Sequence, residues 1–409
     1  MRMKLNKTSQ LLLVALASIL VAGFMTACAT LTVDFVFVAS SKAAGTNNYG
    51  ELDIFEVNSE SGHMRQIPAS PVPSQGRLPV AEAVSSDAAS LFVANQDDNN
   101  IVQFVIGSDG KLYPYNTVNT PGVFPLGLAS SAANLFVVDT YQPLPTCSTA
   151  APCSGSVGVF PLTAATGSTP VAIGSPAVNG SISSNYWPLA VAGRPNDVIA
   201  PTAIAVLASG TDVYVTAYDT SVSPTVGYIF GFSVGSGGVL TALAGSPFAA
   251  GIRPSALASD KSGTYLYATD YAGNDVLAYT IASGVLTPLA GSPFKAGTNP
   301  SAIVVDQKYS FAYVANATDS TITAYSLTNG ELASLGTYAT GLEPVALGID
   351  PSTSHFLYSV NFLGNTVSGF ELSATDGTLL DTQNSPFPSN ALPTAVAAIP
   401  HAGTGAGVP

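Results

Sequence analysis

The chain has 409 residues, of which only 9% are charged, with 38 Gly, 29 Pro, three Cys and a formal net charge of −13 at pH 7. Few charges, many Gly and Pro and no long helical period argue against a helical protein and for short strands joined by turns. The acidic excess, with Lys and Arg few and scattered, opposes contact with phosphate, so nucleic acid is not expected as a partner.

At the start, Arg2, Lys4 and Lys7 precede an uncharged apolar run from Leu11 to Phe24. It is too short to span a bilayer comfortably and fits the core of a signal peptide. The run ends in Met25-Thr26-Ala27-Cys28, which resembles a bacterial lipobox. Residues 1–27 are therefore expected to be a lipoprotein-type signal peptide and Cys28 the lipidated residue, which places the protein in the cell envelope with membrane contact only through its anchor. An ordinary cleaved signal and a retained membrane helix are the alternatives. Without Arg2, Lys4 and Lys7, nine basic residues face 25 acidic ones, a net charge of −16.

The first segment after the signal, Val33 to Ala39, reads as a strand, followed by Gly50 to Val57 and His63 to Ile67. From there a repeat takes over. Openings fall at Pro79, Pro125, Pro201, Pro254, Pro300, Pro344 and Pro393. Pro254 to Asn299 shows the unit whole: four β-branched or aromatic runs separated by Gly, Asn, Asp and Ser turns, a four-stranded antiparallel meander. The second strand recurs as Leu91 to Asn95, Leu135 to Asp139, Val213 to Ala217, Leu266 to Asp270, Ala312 to Asn316 and Leu357 to Asn361, and units close with Ser-Pro motifs such as Gly291-Ser-Pro-Phe294.

The ends of the chain complement each other. Val33 to Ala39 matches a second strand with no first strand before it, and Pro393 to Ile399 is a first strand with nothing after it. Joined, they give an all-β seven-bladed β-propeller of four-stranded antiparallel blades over residues 28–400, closed by the C-terminal strand, with 401–409 a disordered tail. Such a ring packs each blade on its neighbours and needs no single large core.

The third unit is longer than the rest. One insertion, around Tyr141 to Ser156, carries Cys147 and Cys153, expected to form a small disulfide ring in an oxidising compartment. A second, around Asn179 to Val198, carries Trp187, the sole tryptophan. Both insertions should emerge on the face of the opening prolines, where long loops either bind ligands or form a pinned cap.

The repeated Leu-Tyr-Val-Ala-Asn type of strand, the Pro-Ser-Ala openings, the Gly-Ser-Pro-Phe endings and the seven units resemble the lactonase-like seven-bladed propellers. That family includes 6-phosphogluconolactonases and shares its repeat style with the YVTN propellers. The resemblance covers about residues 31 to 400 and implies a sugar lactone as substrate. Family enzymes carry a Pro-Arg-His signature at the start of an inner strand. Here the matching openings read Pro254-Ser255, Pro300-Ser301 and Pro344-Val345, and the three histidines, His63, His355 and His401, fall in an outer strand, a turn and the tail.

Polar candidates remain. Just before the openings stand Leu78, Phe124, Ala200, Arg253, Asn299, Glu343 and Leu392, so three adjacent blades present a cation, an amide and a carboxylate side by side. They could hold a sugar or carboxylate ligand, or an Arg253–Glu343 ion pair bridged by Asn299 could close the ring. Glu82 occupies a slot filled elsewhere by Leu128, Ile204, Leu257, Ile303, Leu347 and Val396. A carboxylate there should have a raised pKa or a charged partner, for which Arg77 is the candidate, and either way it is a possible acid or base. Asn95, Asp139, Asp270, Asn316 and Asn361 read as caps of hairpin turns rather than metal ligands. No Gly-rich phosphate loop, Ser-centred nucleophile elbow or HExxH motif is present, and no metal or cofactor is expected.

The reading that follows is a monomeric binding module at the cell envelope. It would take a sugar, a lactone, a glycan or an envelope protein at the channel mouth. The alternative is a lactone hydrolase, with Glu82 as base toward water, Arg253 supporting the carbonyl oxygen, and Asn299, Glu343 and Arg77 positioning the ligand. A purely structural envelope protein is the third possibility.

Overall fold

In a computed structural model, which describes residues 32–45, 47–351 and 353–401, seven antiparallel sheets are arranged as the blades of a propeller. The expected signal segment, Cys28 and positions 402–409 of the tail lie outside the described residues. Blade 1 is built from both ends of the chain: its inner strand is Pro393–Pro400, paired with Thr32–Ala44 from Asp34↔Pro400 to Ser40↔Pro393. Blades 2 to 7 open with inner strands Pro79–Val84, Val123–Ser130, Ile199–Val206, Pro254–Ser259, Pro300–Val305 and Pro344–Ile349. The face where these prolines stand is called the proline face, and the face carrying the turns between strands one and two the turn face.

Second strands are buried on both sides. Phe356–Asn361 and Ser90–Asn95 have no accessible residue, because a blade is covered by a neighbour on each face. Each apolar cluster accordingly spans two blades: Leu207, Tyr214 and Ile229 of blade 4 pack with Leu257, Leu266 and Tyr279 of blade 5, and seven such clusters fill the seven gaps.

The Pro-Ser opening has a physical role. The inner strands of blades 2, 5, 6 and 7 slip register just after the proline, leaving the next residue opposite nothing. In blades 5 and 6 that bulged residue is a serine, and it reaches sideways. Ser255 Oγ donates to the Pro300 carbonyl and Ser301 Oγ to the Pro344 carbonyl, both at 2.6 Å, while Thr394 Oγ1 bonds the Pro79 carbonyl at 2.8 Å. Neighbouring inner strands are thereby stitched without a shared ladder.

The Ser-Pro endings do more than turn the chain. In five blades the outermost strand comes in two pieces that pair with the same third strand. In blade 5 these are Val285–Pro288 and Phe294–Lys295, interrupted by a cis Ser292-Pro293 bond. The break would orphan a backbone donor of the third strand, and the serine hydroxyl takes its place: Ala278 N–H donates to Ser292 Oγ, Gly231 to Ser246 and Gly369 to Ser385, at 3.0 to 3.1 Å. The aromatic residue after the proline then drops into the core, as Phe387 does at 4% exposure.

Blade 3 keeps this plan under its insertions. Cys147 and Cys153 are disulfide-bonded, as expected. Trp187 is not displayed on a loop: it pairs with Val157 in the second piece of the outer strand and packs in the core between blades 3 and 4, in the position a Phe holds elsewhere. The second insertion is pinned by Arg194, which donates to Asp219 Oδ2 at 2.8 Å and to the Tyr228 hydroxyl at 2.9 Å and also pairs with Asp197. The Asp219 side chain is fully buried. Arg194→Ala is therefore expected to destabilise the chain by roughly 2–4 kcal/mol, the penalty of a buried carboxylate without its cation. The denaturation midpoint measures it, with Asp219→Asn/Arg194→Ala recovering part of the loss.

Candidate functional site

At the proline face each connection must turn sharply into the channel wall. In five of the seven blades it does so with the residue before the proline in the left-handed region: Leu78 (φ 56°), Phe124 (57°), Asn299 (56°), Glu343 (53°) and Leu392 (60°). That conformation costs a non-glycine residue about 1–2 kcal/mol, so its surroundings must hold it. They hold it from two sides. The carbonyls of Leu78, Asn299 and Glu343 accept the N–H groups of Gln96, Ala317 and Phe362, each just past a second strand, at 2.8, 3.0 and 2.8 Å. From the preceding blade, Asn99, Asn274 and Asn365 accept the N–H groups of Phe124, Asn299 and Leu392 at 2.6, 2.8 and 2.8 Å.

The acidic and amide residues that end the second strands clamp the same connections. Asp270 accepts the N–H groups of Ile252 (2.7 Å) and Arg253 (2.8 Å) as well as that of Ala272 in its own hairpin turn (3.2 Å). Asn316 holds Gly297, and Asp139 holds Gly122. Burial pushes the Asp139 carboxyl up to about 7, the Gly122 and Thr120 hydrogen bonds pulling the other way. These residues are structural clamps of the mouth.

On this rigid rim Arg253 stands exposed between two aromatic rings. Its guanidinium carbon lies 5.2 Å from the Tyr218 centroid and 5.2 Å from that of Tyr271, within range of a cation–π contact on both sides. Asn299 donates from Nδ2 to the Tyr271 carbonyl (2.9 Å) and accepts from the Thr318 hydroxyl (2.7 Å). Glu343 is half-buried and shares with Tyr271, Thr318, Leu342 and Leu363 a cavity of about 270 Å³. Arg253, Asn299 and Glu343 are thus gathered around one residue, Tyr271. They do not form the ion pair considered above: among the described residues no Arg253–Glu343 contact within 4 Å exists, and Arg253 is held by the tyrosines instead. With its oxygen and one N–H committed to the rim, Asn299 positions its neighbours.

Glu82 and Arg77 are not part of this group. The Glu82 carboxyl oxygens are buried where the inner strand of blade 2 meets that of blade 1, and neither makes a hydrogen bond of good geometry, the Ala397 backbone being the polar group beside them. Desolvation pushes its pKa up to about 8, opposed only by the backbone of Ala397. The expected Arg77 partner is elsewhere, because Asp98 accepts both its Nε–H (2.7 Å) and its backbone N–H (2.8 Å), and the Asp97 carbonyl takes a third bond at 3.2 Å. At neutral pH Glu82 is mostly a neutral acid. The three histidines are engaged away from the mouth: His63 with the Gln383 carbonyl, His355 with Glu371, and His401 against the Phe35 ring.

Reading the sequence by slots missed Tyr218 and Tyr271. Both follow directly on the five-residue second-strand motif, in the slot of Gln96, Thr140, Ala317 and Phe362. Lining up one more residue per repeat would have found them.

The strands and their closure define a seven-bladed β-propeller. Residues 284–396 match the family model described as Lactonase, 7-bladed beta-propeller. Among solved structures the chain is similar to a periplasmic gluconolactonase from Pseudomonas aeruginosa, with 16% identity and a TM-score of 0.69 over 90% of this chain and 99% of that one. It is also similar to a candidate 6-phosphogluconolactonase from Bacteroides fragilis, with 17% identity and a TM-score of 0.67 over 91% and 99%. At such identities the likeness carries the fold alone. No curated protein sequence matches the chain.

Proposed function

We propose that the chain is an exported binding protein that takes a sugar lactone or the corresponding sugar acid at the proline-face mouth. The observation that carries this reading is the pre-organised Arg253, held between Tyr218 and Tyr271 with its charge open to solvent beside the Glu343 cavity. A fixed guanidinium offers paired donors to a carboxylate or a lactone carbonyl, and the tyrosine edges and exposed Leu342 and Leu363 suit the apolar side of a sugar ring. The disulfide in blade 3 and the likeness to a periplasmic protein favour export. Envelope attachment through Cys28 rests on the sequence.

Lactone hydrolysis is the second reading, favoured by the lactonase family match and the gluconolactonase neighbours. Glu82, mostly protonated at neutral pH, is the less favoured base for it. Both readings are tested by titrating the purified chain with gluconate and glucono-δ-lactone in a calorimeter and following lactone opening in a pH-stat. Saturable binding that Arg253→Ala weakens at least about tenfold supports the binding site. Turnover above the buffer blank, lost in Arg253→Ala and kept in Glu82→Gln, adds the hydrolase. Neither heat nor turnover from any lactone or sugar acid would remove both.

A further inference from the structure

The gap between blades 5 and 6 departs from the repeat in two ways at once. The second strands of blades 4 to 7 carry a tyrosine in the same slot, and its hydroxyl normally finds an acceptor in the next blade. Tyr214 bonds the Gly284 carbonyl at 2.9 Å, Tyr313 the Gly377 carbonyl at 3.1 Å, and Tyr358 the carboxylate of Asp34 at 3.0 Å. Tyr267 should reach Gly330, which like Gly284 and Gly377 has a positive φ in a turn between strands three and four. It does not: Tyr267 is 1% exposed and its hydroxyl has no partner.

The second departure is an aspartate. Inner strands 5, 6 and 7 end on the turn face in Asp260, Asp306 and Asp350, which accept N–H groups of the following turn. Asp260 uses both oxygens, one on Thr264 and Tyr265 and the other on Ser262. Asp350 likewise uses both, with Thr353 and His355. Asp306 uses only Oδ1, on Lys308 and Tyr309, and its buried Oδ2 has no partner. The sequence explains the difference: Lys308 stands where Ser262 stands in blade 5, and its ammonium bonds the Thr353 carbonyl instead of the aspartate.

Both residues line one cavity of about 230 Å³ that opens on the turn face. Hydroxyls can serve both atoms, donating to the carboxylate oxygen and accepting from the phenol. The rest of the wall agrees with a polyhydroxylated molecule: Tyr265 and Tyr309 stand in it, and Lys261 and Lys308 balance Asp260 and Asp306, so the lining has no net charge to attract an ion. We propose that this cavity is a binding site for a small neutral polyol or sugar, whose hydroxyls would satisfy Asp306 Oδ2 and the Tyr267 hydroxyl. It lies on the face opposite the Arg253 mouth and does not depend on what the mouth binds.

The test is calorimetric titration of Arg253→Ala, which silences the mouth, with D-glucose, D-galactose, myo-inositol and glycerol, backed by ligand-observed saturation-transfer NMR. Tyr267→Phe and Asp306→Asn are added in turn, and Tyr313→Phe serves as a control that removes a hydroxyl already partnered within the fold. Saturable binding of at least one probe is expected, weakened at least about tenfold by Tyr267→Phe and by Asp306→Asn, and unchanged by Tyr313→Phe. Tyr267→Phe removes an unpaired polar group and should melt no lower than its parent, so a loss of binding there is not a loss of fold. No saturable binding of any of the four would mean that the cavity holds water only and would overturn the proposal. Binding equal in Tyr267→Phe and its parent would overturn it too.

Discussion

Glu82→Leu is expected to stabilise the chain by roughly 3 kcal/mol at pH 7 and more at pH 8.5, and to flatten the dependence of its stability on pH. The folded carboxyl titrates near 8 because burial disfavours its charge, against an ordinary value of 4.5. A group whose pKa is raised on folding stabilises fully only below its unfolded pKa. The benefit is lost as pH climbs from 4.5 through 8, at about 1.4 kcal/mol per pKa unit. Asp139 and Asp53, pushed up to about 7 and about 6 by burial, act in the same direction over narrower windows. The wild-type chain should therefore be harder to unfold at pH 5 than at pH 8.5. Leucine fits because Leu128, Leu257 and Leu347 fill the same slot in other blades, each nearly buried. Denaturant midpoints for wild type, Glu82→Gln and Glu82→Leu between pH 4 and pH 9 decide the matter. Three parallel curves would mean that Glu82 is hydrated and free to ionise, which would restore it as a base.

That position shows what a sequence can and cannot disclose about such a ring. The slot of Glu82 was legible because the repeat aligns it with six apolar residues, and desolvation follows from the slot alone. Its proposed partner was not. Between Arg77 and Glu82 the chain passes through the left-handed Leu78 and the bulge after Pro79, so spacing no longer fixes which way a side chain faces. Asp98, which takes Arg77, sits in a turn whose position depends on tertiary closure. Trp187 escaped for a related reason: an insertion displaced it from the Ser-Pro motif that marks its equivalents, although it fills the same hole. By contrast the Arg253, Asn299 and Glu343 group could be placed from sequence, because each is tied to its opening proline. The rings that hold Arg253 lay one residue past the strand motif that had been lined up.

Removing the chain after Leu392 is expected to abolish the folded ring, although it deletes only the last inner strand and the tail. Pro393–Pro400 supplies blade 1 with its innermost strand, and its loss unpairs one edge of Thr32–Ala44 from Asp34 to Ser40. Ile399, fully buried, leaves a hole between Phe35, Phe37 and the blade 2 residues Leu91 and Val93. Val396, Ala398 and their contacts with Tyr358 and Val360 vanish from the opposite gap, toward blade 7. The stitch from Thr394 to the Pro79 carbonyl goes as well. An open solenoid tolerates the loss of a terminal strand because only one neighbour is affected. In a closed ring the same strand touches two gaps, and both open at once. The expected product is aggregated or lacks a cooperative melt, and a synthetic peptide spanning 393–409 should recover part of the fold when added during refolding. Ile399→Asp in the full chain should reproduce most of the damage by placing a charge in the same hole, a change in the class that costs more than about 4 kcal/mol. A truncated chain that stays monomeric and melts cooperatively at the wild-type midpoint would show that the ring is held by its other five gaps and that the closing strand is an accessory.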